Sequence, residues 1–156
     1  HLAIQFHKAL GCHVTAFTHS SDKNMLLKAL GADDVISSND ISILKNINTK
    51  FDLLISTVNV NLNWDLYLNA LEPRGRLHFV GAILEPIKSS VFNLMAGRRS
   101  ISGSPVGSPK NIKKMLDFCV EHNIKPIVEH FKFNEINDAI KKLRNNDIRF
   151  RAVLSW

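Results

Sequence analysis

The chain has 156 residues, 45% of them hydrophobic and 22% charged, with a formal net charge of +6. This length supports one domain, or at most two, around a real core. No apolar run approaches the ~18 residues of a membrane span, no stretch reads as a signal peptide, and the basic residues (Lys113, Lys114, Lys141, Lys142, Arg144) lie scattered along helices without a nucleic-acid motif.

In chain order, "HLAIQFHKALG" places Leu2, Phe6, Ala9 and Leu10 at helical spacing, with Gly11 as the stop. This helix starts at residue 1 with no initiator Met and no cap, and its first N–H groups need partners. The chain therefore reads as a piece of a longer protein. "HVTAFT" is expected as a strand, "SSDKNMLLKALG" as a helix ending at Gly31, and "DDVIS" as a short strand. "NDISILKNI" reads as a short helix, "FDLLISTV" as a buried strand and "NWDLYLNAL" as a helix. "EPRG" then turns the chain into the strand "RLHFVGA". Strands alternating with helices predict a parallel sheet with right-handed crossovers. The near-continuous apolar runs "DLLIS" and "RLHFVGA" predict strands covered on both faces.

Downstream, "SVFNLMAG" reads as a short helix and "RSISGSPVG" as a strand. Ser108 caps a helix with Pro109 at its first position, running through "KNIKKMLDFCVEHN". The chain closes with a strand "PIVEHF", a helix from Asn134 through Arg144, and a strand "RFRAVLS". That last strand, helix and strand suggest a segment packing elsewhere than on the main sheet.

In a doubly wound sheet, ligands bind outside the carboxyl ends of the strands. The residues there are Thr18–Lys23, Thr57–Asn59, Val80–Ala82 and Gly103–Val106, mostly small or hydroxyl-bearing. "FTHSSDKN" carries no carboxylate at the point where an NAD-binding fold usually places one for the ribose hydroxyls. Thr18, Ser20 and Lys23 instead offer hydroxyls and a cation that suit the 2′-phosphate of NADP, and His19 offers a ring for the adenine. The alternative is that Ser20 or Ser21 only caps the next helix and Lys23 faces solvent. Other chemistries lack their residues. Tyr67 has no Lys four residues on, no Gly-x-x-x-x-Gly-Lys loop exists, and the 7 histidines are not paired at metal spacing. His78, inside "RLHFVG", reads as a packed strand residue and not as a base. Cys12 and Cys119, each in an apolar context, form no disulfide framework and point to a reducing, cytoplasmic setting.

Taken together, "HLAIQFHKALG", "KALGADDVI", "FDLLISTVNV", "LEPRGRLHFVGA", "RRSISGSPVGSP" and "RFRAVL" resemble, in order and along essentially the whole chain, the zinc-dependent medium-chain alcohol dehydrogenases. The resemblance is to their cinnamyl alcohol dehydrogenase-like, NADP-dependent aldehyde reductases. It implies an α/β fold: a Rossmann-like doubly wound parallel sheet lacking its first strand and Gly-rich loop, plus a C-terminal strand–helix–strand segment. Residues 1–124 would form the NADP-binding domain, truncated at its start. Residues 125–156 would pack on an absent GroES-like catalytic half.

The resemblance also implies roles. Thr18, His19, Ser20 and Lys23 match the stretch holding the 2′-phosphate, although His19 stands where the family often has Arg or Ser. Thr57, Val58 and Asn59 match a contact beside the cofactor. Val80, Gly81 and Ala82 match the loop passing the nicotinamide ribose. Gly103, Ser104, Pro105 and Val106 match the segment lining the nicotinamide, and Arg151 in the final strand matches an arginine reaching the pyrophosphate. The zinc ligands and the proton relay belong to the absent half, so no catalytic or metal residue is assigned here and the chain alone is expected to be inactive. The implied partners are NADP(H), a small aldehyde or alcohol and a second copy, joined through the edge strand near Ser100–Val106. A zinc-free quinone reductase and a non-catalytic NADP-binding module are the alternatives; "NVNLNWD" and "GSPVGS" favour the zinc branch.

Overall fold

The structure is a computed structural model that describes residues 1–40, 42, 45, 46, 50–145 and 147–156. The helix expected over "NDISILKNI" lies in part outside the described residues. The chain divides into two compact units, one of residues 1–36 and 113–156 and one of residues 37–112. Helix α5, Pro109–Glu121, runs through the division.

The first unit opens with α1, Leu2–Ala9, followed by strand β1, Thr15–Thr18, helix α2, Asn24–Ala29, and strand β2, Asp34–Ser37. The helical spacing of α1 turns Ile4 onto a small core of Ala16, Leu27 and Ala32, where Val35 also packs. Asp33 closes this motif. It accepts from Lys8 Nζ at 2.6 Å and from the Val14 N–H at 2.8 Å, joining α1 to both strands' approaches. Gly31 ends α2 at φ +106° with its α-carbon against the Lys8 side chain, a conformation that suits glycine.

The same unit holds the end of α5, strand β6 over Glu129–Lys132, helix α6 over Ile136–Arg144, and strand β7 over Ala152–Ser155. β6 and β7 pair in parallel, so the predicted strand–helix–strand is present. Its start is tied to α1: the Gln5 side-chain amide donates to the Lys125 carbonyl at 3.2 Å and accepts from its N–H at 3.4 Å. Phe6 stacks on Phe118 of α5 with ring centroids 5.9 Å apart.

The second unit is built on a parallel sheet of β3, Phe51–Ser56, β4, Leu71–Phe79, and β5, Ser100–Gly103, in the order β3-β4-β5. Helix α3, Trp64–Asn69, covers one face, and Trp64, Leu68, Leu71 and Leu77 are its fully buried side chains. Helix α4, Val91–Met95, precedes β5.

Three expectations need correction. "EPRG" does not precede β4 but lies within it: the register jumps from Phe51↔Leu71 to Leu53↔Arg76, and Arg74 takes φ 66°. The turn is a bulge, because pairing resumes on both sides of it. Second, β3 is not covered on both faces within its unit. Leu54 and Ser56 are buried, but Leu53 on the other face is 43% exposed, since α3 covers one side only. Third, Cys12 is exposed, because it follows the turn at Gly11 and does not enter the core.

Candidate functional site

In the first unit the stretch after β1 folds into a tight polar turn. The Ser20 N–H donates to Thr18 Oγ1 at 3.2 Å, and that hydroxyl donates to the Ser20 carbonyl at 3.3 Å. Ser20 is extended, and its side chain makes no cap bond to the 3₁₀ turn over Ser21–Lys23. The cap-only reading of Ser20 is therefore not met. Its hydroxyl bonds Asp22 instead, and this bond, reinforced by Lys23 and Arg149, holds the exposed Asp22 carboxyl below its usual range. His19 and Lys23 are exposed. Lys23 and Arg149 thus both act on this one carboxylate.

Arg151 lies one residue before β7 and not inside it, and it is exposed. The ring of its neighbour Phe150 lies tilted against that of His1, the residue preceding α1, with centroids 4.3 Å apart. The start of α1 and the approach to β7 are therefore side by side. His1 Nε2 is buried without a partner among the described residues.

In the second unit the structure gathers three of the predicted stretches at one sheet edge. Ser56 pairs with Phe79, and Phe79 with Gly103, so β3, β4 and β5 end level. The Val80 and Gly81 N–H groups both donate to the Ser56 carbonyl, at 3.0 and 3.1 Å. A Cβ on Gly81 would stand 2.2 Å from the Val58 carbonyl oxygen, so only glycine lets the two loops touch. Thr57, Val58, Asn59, Val80 and Ala82 are exposed, as are Gly103, Ser104, Pro105 and Val106. The loops are braced further out: Trp64 Nε1 donates to Asn61 Oδ1 at 2.7 Å, and Asn61 Nδ2 donates to Glu85 Oε2 at 3.2 Å.

Residues 1–121 match the family of proteins described as zinc-binding dehydrogenases. The chain belongs to that family. Among its relatives, the aldehyde reductase AdhA of Synechocystis is 49% identical over 99% of the chain and 46% of its own length. The aldehyde reductase YahK of Escherichia coli is 37% identical over 99% of the chain and 44% of its own length. The chain thus spans about half the length of the curated relatives it matches. A cinnamyl alcohol dehydrogenase structure from Sorghum bicolor, 33% identical, superposes with a TM-score of 0.90 over 97% of the chain and 43% of its own. One from Helicobacter pylori, complexed with NADP(H) and 27% identical, gives 0.84 over 97% of the chain and 43% of its own. The fold of the chain is accordingly α/β and Rossmann-like, with parallel sheets, as its motifs predict.

Two features near these strand ends were not legible in the sequence. Arg149 acts on Asp22 from a distant part of the sequence, and nothing local signals it. Ser56 is 8% exposed with its hydroxyl unpartnered among the described residues. A serine closing an apolar strand was its only signal.

Proposed function

We propose that this chain is the cofactor-binding part of an NADP-dependent alcohol dehydrogenase or aldehyde reductase acting on a small aldehyde or alcohol. The observation that carries the reading is the level ending of β3, β4 and β5, in a chain related to an aldehyde reductase. When bound, the cofactor supplies hydride to a carbonyl carbon or takes it from an alcohol. At these strand ends Gly81 lets the loops after β3 and β4 close on each other, because the Val58 carbonyl takes the place of a side chain there. Thr57, Val58, Asn59, Val80, Gly81, Ala82 and Gly103–Val106 would hold the nicotinamide end and exclude water from it. Thr18, His19, Ser20 and Lys23 would hold the adenosine 2′-phosphate, with Arg151 on the pyrophosphate.

The polar turn supports the NADP preference by charge. A 2′-phosphate brings about two negative charges and takes hydroxyl and cationic donors. Lys23 and Arg149 outnumber Asp22 there. Among the described residues no three His, Cys, Asp or Glu side chains converge on a site for zinc. We place its ligands in the remainder of the protein, on which residues 125–156 would also pack. Hydride transfer then needs both parts. A cytoplasmic location, consistent with the free thiols of Cys12 and Cys119, belongs to the same proposal. So does a homodimer joined through β5, which ends the described three-stranded sheet.

The test is cofactor binding by the intact protein. NADPH is expected to bind more tightly than NADH, and Lys23→Ala combined with Ser20→Ala to weaken NADPH by roughly 10- to 100-fold while leaving NADH unchanged. Equal affinities for the two cofactors would reduce the turn to a structural element.

A further inference from the structure

We propose that His78 is a positioning residue that turns the Ser104 hydroxyl into a directed hydrogen-bond donor, aimed at an acceptor oxygen on the nicotinamide end of the cofactor. The proposal rests on the cofactor reading above.

His78 sits on β4 directly opposite Ser102 of β5. Its Nδ1 lies 2.9 Å from Ser102 Oγ, and its Nε2 lies 2.9 Å from Ser104 Oγ. The ring therefore bridges two hydroxyls, one within β5 and one just beyond its end. Ser104 is held a second time, by its N–H donating to the Phe79 carbonyl at 3.1 Å. Main chain and ring together fix where its oxygen stands.

The proton count gives this bridge a direction. A neutral imidazole carries one N–H and one bare nitrogen. One serine must therefore donate to the ring, while the other accepts from it and keeps its own hydrogen for a further partner. Ser102 is half-buried and Ser104 exposed. A hydroxyl hydrogen left unspent costs more at the less accessible site. The favoured arrangement has Ser102 donating to Nδ1, and Nε2–H donating to Ser104. The Ser104 hydrogen then points away from the ring at the strand end, and the aligned chain of bonds strengthens it as a donor. Its complement is a carbonyl or hydroxyl oxygen, the acceptor chemistry that the nicotinamide amide and its ribose present.

The first readout needs no cofactor. Long-range ¹H–¹⁵N spectra of the intact protein, with the His78 signals assigned by their loss in His78→Leu, are expected to show the proton on Nε2 and a bare Nδ1. Ser102→Ala, which removes the donor to Nδ1, should shift the ring toward the other tautomer. A parent protein with the proton on Nδ1 overturns the proposal.

The second readout compares NADPH with 2′-phospho-ADP-ribose, which lacks the nicotinamide. Ser104→Ala should weaken NADPH by about 2- to 10-fold and leave 2′-phospho-ADP-ribose unchanged. His78→Phe should do the same, and Ser104→Thr, which keeps the hydroxyl, should retain parent affinity. No loss for NADPH, or an equal loss for both nucleotides, overturns the proposal. If the parent protein binds neither nucleotide, the cofactor reading itself falls, and the tautomer signature tells that failure apart.

Discussion

Gly81 is the residue whose role is most sharply set by space. Its N–H reaches back to the Ser56 carbonyl while its α-carbon lies against the Val58 carbonyl, so the ends of β3 and β4 touch through main chain. Gly81→Ala would force a methyl to within 2.2 Å of that oxygen. The loops must part, and the expected loss is about 1–3 kcal/mol, read as a lower denaturant midpoint with an unchanged slope. An unchanged midpoint would show that the loops part freely. Residue-level chemistry also shapes "FTHSSDKN". Thr18 and Ser20 spend their local bonds on each other, and Asp22 is answered by Ser20, Lys23 and Arg149. The hydroxyls and the Lys were legible in sequence as a phosphate seat or a cap. The absence of a cap bond at Ser20 came only from the backbone geometry.

At the scale of elements, β4 carries the second unit. It pairs on both sides, with β3 and β5, and buries Leu71 and Leu77 against the face that α3 covers. Leu77→Ala is expected to cost about 2–5 kcal/mol by leaving a cavity. Leu53→Ala, on the uncovered face of β3, should stay within about 1 kcal/mol in the same denaturant titration. Comparable losses at both positions would mean that the Leu53 face is covered in solution. The apolar run "RLHFVGA" of β4 was readable, but the bulge at Arg74 was not. "EPRG" has the composition of a turn whether or not pairing continues past it, so only the neighbouring strand decides. The terminal β6–α6–β7 was placed correctly in order, because a helix flanked by two short apolar runs has few other folds.

For the whole molecule, the shared feature is a set of aspartates held ionised by local donors. Ser20 does this for Asp22, Lys8 for Asp33 and Ser89 for Asp65, and each carboxyl is lowered from its ordinary 3.8. The unfolded chain therefore binds more protons than the folded one in this acid range, and stability rises with pH there. The stabilisation is fully present above about pH 3.8 and is lost as pH falls through the lowered folded values. Urea midpoints measured from pH 6 down to about pH 2 should fall below pH 4. Asp33→Asn should flatten that fall, and an unaltered slope would remove Asp33 from the account. Sedimentation velocity over a range of concentrations checks the proposed homodimer: a strict monomer would rule out β5 as its seam.

The sequence by itself determined the order of the described helices and strands and the parallel pairing of the strands. Those features follow from local spacing and from turn residues, which act over a few positions. Only the tertiary structure decided that His78 stands between Ser102 and Ser104, that Arg149 answers Asp22, and that Gly81 closes on Val58. Each joins residues well separated along the chain, and its geometry depends on strand register and loop path. Neither leaves a periodic mark in the chain.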